Sequence, residues 1–175
     1  MDIIVAAQAI NPQIGTLSWT SSSGTRMVKC ALGYSGLSTN KREGDGATPV
    51  GRFALRRVFY RPDRVTLPPL ALPLAAIDPS DGWCDDPASP DYNRPIKLPS
   101  AARHETMWRK DALYDIVVVI GHNDDPPVPG AGSAIFLHVA SDDYRPTEGC
   151  VAIARSDLMA LLADCRADTM IAITI

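Results

Sequence analysis

The sequence predicts a mainly β protein with one or two short helices, and three observations lead to this prediction. Short apolar runs recur along the 175 residues, and clusters of Gly, Ser, Asn and Pro separate them, as expected for strands joined by turns. Only one stretch, near the end, has a clear helical pattern. The share of hydrophobic residues is 46%, typical of an ordinary globular chain. This length fits one domain over residues 1–175.

Six segments are predicted as strands. The run GRFALRRVFY alternates apolar Phe53 and Leu55 with charged Arg52 and Arg56, which suits a half-exposed strand. The runs DIVVVIG and SAIFLHVA are almost continuously apolar, as expected of central strands buried on both faces. The predicted strands are Asp2–Ala9, Thr25–Leu32, Gly51–Tyr60, Asp115–Gly121, Ser133–Ala140 and Thr169–Ile175.

One helix is predicted near the end of the chain, and a weaker one before it. Ser156 is a suitable N-cap and Asp157 favours the first turn. An apolar stripe follows, formed by Leu158, Met159, Leu161 and Leu162. The weaker helix is predicted over Ala101 to Leu113.

The middle of the chain, residues 61–95, is rich in proline. It holds eight of the 15 prolines, together with five aspartates between Asp78 and Asp91. Proline at this density blocks ladders and helices but permits a stiff, ordered excursion. Long ordered loops are usually functional, so we expect a lid or a wall of a substrate groove.

Charge and hydropathy exclude some classes of protein. A net charge of −3 argues against a general nucleic-acid binder. No apolar run approaches the roughly 18 residues that span a bilayer. The opening MDIIVAAQAINPQ has Asp2 where a signal peptide has Lys or Arg. We therefore expect a first strand there, and neither a signal peptide nor a transmembrane segment in the chain.

The four cysteines are widely scattered and form no C-x-x-C pair, which excludes the usual zinc patterns and gives little support to a disulfide scaffold. Cys30 and Cys165 are expected in the core, and Cys84 in a loop with possible exposure. No metal site and no cofactor are expected.

The chemistry centres on His138 and Cys150, with eleven residues between them. A cysteine acts as a nucleophile when a histidine can take its proton. A strand, a connection and a returning strand can bring the two side by side, and the N–H groups of Gly149 and Cys150 could hold an oxyanion. Taken alone, the pair is more often a satisfied core histidine and an inert buried thiol.

Two motifs change that balance. The segment from His138 to Thr147-Glu148-Gly149-Cys150 resembles the active site of the L,D-transpeptidase catalytic domain family (YkuD-like), whose signature is a strand-borne His followed by Ser/Thr-x-Gly-Cys. The turn Thr48-Pro49-Val50-Gly51-Arg52-Phe53 resembles a second family hallmark, T-P-x-G-x-F. The resemblance spans roughly residues 2–175. It implies a β-sandwich with Cys150 as nucleophile and His138 as proton shuttle.

The chain departs from the family pattern at three positions. Glu148 stands where the family usually has His, Ala152 where it often has Arg or Asn, and Val139 where Gly or Ser is common. Because the implied base is the upstream His138, Glu148 bears on substrate choice. Arg145 or Arg155 could replace the missing polar group at 152. The other candidates for substrate contact are Tyr144, Thr147, Trp83, Tyr92 and Trp108, with Arg52, Arg56 and Arg57 as possible carboxylate ligands and His104 and His122 as weaker site candidates.

The resemblance implies a peptidoglycan L,D-transpeptidase that forms stem-peptide cross-links through a cysteine thioester. It also implies a site in the cell envelope or periplasm, and acylation by carbapenems. The T-E-G-C variant and the proline-rich segment favour 1-3 links (L-alanine to diaminopimelate) over 3-3 links. Two alternatives stay open, namely an L,D-carboxypeptidase or endopeptidase and a non-catalytic peptidoglycan-binding module.

Overall fold

The computed structural model describes residues 1–175 and contains fourteen strands and one helix, which confirms the mainly β prediction. The strands are β1 (Asp2–Ala7), β2 (Ile14–Ser21), β3 (Gly24–Ala31), β4 (Leu37–Ser38), β5 (Thr48–Pro49), β6 (Gly51–Tyr60), β7 (Leu74–Ala76), β8 (Asp81–Cys84), β9 (Pro95–Lys97), β10 (His104–Thr106), β11 (Ile116–Ile120), β12 (Phe136–Val139), β13 (Val151–Ile153) and β14 (Met170–Thr174). The helix α1 covers Arg155–Asp164. No helix has the length and the apolar character needed to cross a lipid bilayer.

The main sheet closes on itself. Its strand order is β11-β12-β13-β3-β2-β1-β14-β6-β7, and β6 also pairs antiparallel with β11. Eight of its nine strands therefore form a ring, with β7 attached outside. A second sheet, of order β10-β8-β9, has three strands, and β4 pairs with β5.

The two faces of the main sheet bury different cores. In β11, Ile116, Val118 and Ile120 belong to the larger core with the apolar stripe of α1. Val117 and Val119 belong to a smaller core that also includes Trp83 of β8. This alternation follows from the two-residue repeat of a strand. The three-stranded sheet therefore covers the second face, where the functional groups lie.

All six predicted strands are present, within a few residues at each end. The prediction missed β2, whose outward positions after Ile14 are Thr16, Ser18 and Thr20 and whose inward positions begin with Gly15. The weaker helix over Ala101–Leu113 is wrong. Those residues contain β10, which pairs antiparallel with β8. A three-residue strand has almost no periodicity of its own, and its pairing partner decides its conformation.

The helix near the end of the chain begins two residues earlier than predicted. Ala154 occupies the N-cap position without a side-chain cap, so Ser156 as N-cap is wrong. Because β13 ends at Ile153, the strand places the start of the helix. Asp157 lies in the first turn as predicted, and the apolar stripe is buried except for Met159.

The proline-rich segment, residues 61–95, is more regular than a loop. It contains β7, which pairs parallel with β6, and β8, the central strand of the small sheet. Cys84 is the last residue of β8 and is fully buried, so its predicted exposure is wrong. Cys30 and Cys165 are buried in the larger core as predicted.

Candidate active site

Two threonines hold the backbone of Cys150. Thr147 Oγ1 donates to the Cys150 carbonyl at 2.6 Å, and Thr48 Oγ1 contacts the same oxygen at 3.4 Å. Thr48 also accepts the Gly33 N–H at 2.8 Å. The T-P-V-G-R-F turn and the T-E-G-C turn, a hundred residues apart, therefore meet at the backbone of Cys150.

Gly149 shapes the turn that presents Cys150. Its φ is +136°, and a Cβ there would lie 2.9 Å from the Ala47 carbonyl oxygen, so only glycine fits without strain. The Gly149 N–H donates to Thr147 Oγ1 at 3.2 Å, and an oxyanion would compete with that bond. The Cys150 N–H donates to no protein group and is free to bind an oxyanion.

The Cys150 thiol is neutral and enclosed. Only 7% of the residue is exposed. Sγ donates to the Ala134 carbonyl at 3.2 Å and accepts the Phe136 N–H at 3.3 Å. Burial raises the thiol pKa far above its ordinary value, and the carboxylate of Glu105 raises this pKa further. The Phe136 N–H opposes the shift because it stabilises the thiolate.

His138 and Cys150 lie on the same face of the main sheet. β12 and β13 are parallel, and His138 pairs with Ala152, two residues beyond Cys150. The chain therefore crosses over between them, and the predicted returning strand is wrong. A lateral strand spacing of about 4.8 Å and a two-residue rise of about 6.6 Å place the two Cα atoms about 8 Å apart. No hydrogen bond joins thiol and imidazole.

The His138 imidazole is held in one orientation. Its Nδ1 lies 2.9 Å from the Val139 carbonyl oxygen. With the Nδ1 proton donated there, Nε2 of the neutral ring is unprotonated. Burial lowers the pKa of His138 to about 4. The imidazole is therefore neutral at pH 7 and able to accept a proton.

Protonation of His138 makes stability depend on pH. The unfolded chain binds this proton below about pH 6.5, but the folded protein binds it only below about pH 4. The contribution of His138 to the free energy of unfolding is therefore fully present above pH 6.5. It is lost as the pH falls towards 4, which lowers the free energy of unfolding by about 3 kcal/mol. Urea denaturation of the wild type and His138→Gln at pH 7 and pH 4 measures it. We expect a smaller loss in the variant, and equal losses would contradict the assignment.

A cavity of about 190 Å³ opens onto Cys150. Its walls come from the segment before β5, from the small sheet, from the segment before β12 and from the turn before β13. It is lined by Tyr34, Lys41, Glu43, Gly44, Gly46, Asp85, Glu105, Ser133, Ala134, Glu148 and Cys150. The lining holds four carboxylates and one amine, so its charge is negative. Asp85 makes the proline-rich segment part of the wall.

The predicted substrate-binding residues are divided between two places. Glu148 lines the Cys150 cavity, and Thr147 lies beneath it. Tyr144 and Arg155 line a separate cavity of about 320 Å³, and Arg155 pairs with Asp115. Arg145 is exposed and pairs with Asp143 at 3.1 Å. Substrate binding by these residues stays a prediction.

Trp83 is a packing residue in this structure. It packs edge-on against Phe136 with ring centroids 5.1 Å apart, and its indole N–H donates to Asn93 at 3.0 Å. The Tyr92 hydroxyl donates to Glu43, which lines the cavity, and Arg57 lies over the Phe59 ring at 5.8 Å. The remaining candidates have partners outside the cavity. Trp108 lies beneath the Arg61 guanidinium. Arg52 pairs with Asp2, and Arg56 pairs with Asp124. His104 contacts the Ala102 carbonyl, and His122 contacts the Ala131 carbonyl.

The sequence did not point to Glu105, Lys41, Glu43 or Asp85 as site residues. Glu105 lies on β10, within the segment that was interpreted as a helix, and pairs with Trp83. That register turns both side chains towards the face of the main sheet that carries Cys150. The acidic composition around Asp85 was the only available signal, and it does not specify a position.

Comparisons with known proteins identify the family of this chain. The family model "L,D-transpeptidase catalytic domain" (YkuD) matches residues 10–173. Two solved structures are similar. The helical cell shape determining protein Pgp2 from Campylobacter jejuni has 14% identity and a TM-score of 0.45, over 98% of this chain and 46% of that one. Mycobacterium tuberculosis L,D-transpeptidase 1 has 12% identity and a TM-score of 0.41, over 99% and 59%.

The chain spans about half the length of the solved structures it matches. No curated protein sequence matches it. The family model covers nearly the whole chain and both motifs that meet at Cys150. The chain therefore belongs to the L,D-transpeptidase catalytic domain family.

Proposed function

We propose that this protein is a peptidoglycan L,D-transpeptidase in which Cys150 is the nucleophile and His138 the proton shuttle. The observation that carries the proposal is the shared sheet face, where a neutral, oriented imidazole lies one diagonal step from a thiol that lines a cavity. Family membership supplies the substrate class.

In the first half-reaction, the Cys150 sulfur attacks a carbonyl carbon of a stem peptide. The thiol proton moves to Nε2 of His138, and the negative charge on the carbonyl oxygen is stabilised by the Cys150 N–H and, after release from Thr147, by the Gly149 N–H. The C–N bond then breaks, and His138 returns the proton to the departing amine. A thioester on Cys150 remains.

In the second half-reaction, the amine of another stem peptide attacks the thioester carbonyl. His138 accepts a proton from this amine and gives it to the sulfur as the C–S bond breaks. The products are a cross-linked dimer and the free thiol. Water in place of the amine would give hydrolysis, the activity of an L,D-carboxypeptidase or endopeptidase.

For the bond formed, we propose the 1-3 type over the 3-3 type. The support is the T-E-G-C variant, which places Glu148 at the cavity, and the proline-rich segment, which contributes Asp85 to its wall. A peptidoglycan substrate supports a location in the cell envelope, and we propose the periplasm. A carbapenem would react in the same way, because its β-lactam carbonyl would acylate the Cys150 sulfur.

Muropeptides incubated with the protein and identified by mass spectrometry test this proposal. We expect dimers of one linkage type, and fragmentation separates 1-3 from 3-3 links. Shortened monomers would instead show that the protein is a hydrolase. Unchanged substrate would leave the non-catalytic binding module and reject both enzymes.

A further inference from the structure

The charge of the Cys150 cavity opposes the chemistry that the thiol performs. A thiolate forms more easily beside a positive charge, yet Glu105 and Glu148 both raise the thiol pKa. Lys41 is the only lysine or arginine in the lining. Its ammonium pairs with Asp45. Lys41 lowers the thiol pKa, but burial and Glu105 raise that pKa by more. The free protein therefore holds its nucleophile in an unfavourable negative field.

Two of the four cavity carboxylates have partners that satisfy them. Glu43 accepts the hydroxyls of Tyr92 and Ser133, and the Arg103 guanidinium lies 3.7 Å from its other oxygen. Asp85 pairs with Arg103 at 3.0 Å. Glu148 is exposed at the cavity and forms no ion pair or side-chain hydrogen bond. Glu148 and Glu105 are thus the carboxylates without a cationic partner.

Glu105 is held in place with one oxygen left over. Its Oε2 accepts the Tyr114 hydroxyl, and the Tyr114 ring packs edge-on against the His138 ring with centroids 5.4 Å apart. Oε1 accepts no hydrogen bond, and no fully buried side-chain oxygen in the protein lacks a partner. Oε1 therefore reaches the cavity. Burial raises the pKa of Glu105, which marks an enclosed carboxylate rather than a solvated surface charge.

We propose that Glu105 and Glu148 bind a primary ammonium group of the substrate beside Cys150, and that this bound cation activates the thiol. An ammonium donates three hydrogen bonds, which suit the free Glu105 Oε1 and the Glu148 carboxylate. Its charge cancels their field at Sγ, so thiolate formation becomes more favourable when substrate is present. The inference rests on the proposed function only for the identity of the substrate that carries the ammonium group.

This arrangement limits wasteful chemistry. Without a ligand the thiol stays protonated and unreactive, because burial and two carboxylates disfavour the thiolate. A peptide that lacks the amine would leave the negative charges of Glu105 and Glu148 uncompensated, so the thiol would stay protonated. The two glutamates thus determine specificity for an aminated substrate.

The rate of Cys150 alkylation by iodoacetamide at pH 7.5 tests the inference without any turnover. The sulfur displaces iodide and forms a thioether, while the thiol proton passes to solvent. The probes are Nα-acetyl-lysine amide, which carries one ammonium, and Nα-acetyl-norleucine amide, which carries none. Peptide mapping confirms that Cys150 is the modified residue. We expect the lysine probe to accelerate alkylation several-fold, and the norleucine probe to have no effect.

The double variant Glu105→Gln, Glu148→Gln keeps the shape of both side chains and removes both charges. Its thiol should react about tenfold faster without a probe, corresponding to one pKa unit, and should no longer respond to the lysine probe. Turnover of muropeptides should fall in the same variant. Asp168→Asn, an exposed aspartate outside the cavity lining, is the control for net charge and should behave as the wild type.

Misfolding would also expose Cys150 and speed its alkylation, but it would expose the buried thiols of Cys30 and Cys84 as well. Faster alkylation of Cys150 alone, with Cys30 and Cys84 still unmodified in the peptide map, therefore distinguishes this role from a structural one. Equal effects of the two probes on the wild type, or a lysine response that survives in the double variant, would overturn the inference. A correct alkylation pattern with no muropeptide product would leave the ammonium site standing and reject the proposed transpeptidase.

Discussion

Replacing Cys150 with alanine is expected to abolish transpeptidation, with a fall in kcat of about 10⁴-fold or more. The thiol is the only cysteine sulfur at the cavity, and the Ser133 hydroxyl there already donates to Glu43. The same change should prevent a carbapenem from adding its mass to the protein. Steady-state muropeptide assays and intact-protein mass spectrometry measure the two effects.

Cys165→Ala is the matched control. Cys165 is also buried, and burial raises its pKa to about 11, but it lies in the larger core on the other side of the main sheet. This variant should keep its turnover and its carbapenem adduct even if its melting temperature falls. Substantial product from Cys150→Ala, or loss of the adduct in Cys165→Ala, would remove Cys150 from the role of nucleophile.

Replacing His138 with glutamine should lower kcat by about 10² to 10⁴-fold, the range for loss of a general acid–base group. KM should change little, because His138 does not line the cavity. Glutamine can still donate a hydrogen bond in the direction of the Val139 carbonyl, but it cannot take the thiol proton. Initial rates over a range of muropeptide concentrations separate kcat from KM.

His122→Gln is the control for this prediction. The His122 ring lies on the loop after β11, where Nε2 contacts the Ala131 carbonyl at 2.9 Å, and burial lowers its pKa as it does for His138. If imidazole chemistry at position 138 is the cause, only the first variant loses turnover. A His138→Gln enzyme with normal kcat would exclude His138 as the proton shuttle.

Long strands were predictable because the burial of each face is reflected in the pattern of apolar and charged residues along the strand. In β11 and β12 nearly every position is apolar, and both strands are buried on both faces. In β6 the charges at Arg56 and Arg57 mark exposed positions. Burial of a whole strand requires apolar side chains on each face, so the pattern alone identifies such elements.

Short strands were not predictable for the opposite reason. β8 and β10 have four and three residues, too few for a periodic pattern to stand out. Their conformation depends on the pairing of Glu105 with Trp83 and on the contact of Trp83 with Phe136. These are partners distant in the chain, and a local pattern does not contain them.

The candidate site divides in the same way. Local motifs were enough to single out His138, Cys150 and Gly149. A polar residue in an apolar run, or a glycine in a turn that needs positive φ, can be recognised from the sequence alone. The ammonium-binding pair was not visible. Glu105 and Glu148 are 43 positions apart, and only the packing of the small sheet over the main one brings both to one cavity.

By itself, the sequence determined the fold class and the long strands, and it indicated Cys150 and His138 as the proposed nucleophile and proton acceptor, because each depends on residue types and on spacing within one segment. The tertiary structure alone decided which face of the sheet carries the chemistry, that Tyr144 and Arg155 line a different cavity, and that the Cys150 cavity is acidic. Those properties are sums over charges and contacts from segments far apart in the chain, and only folding brings the segments together.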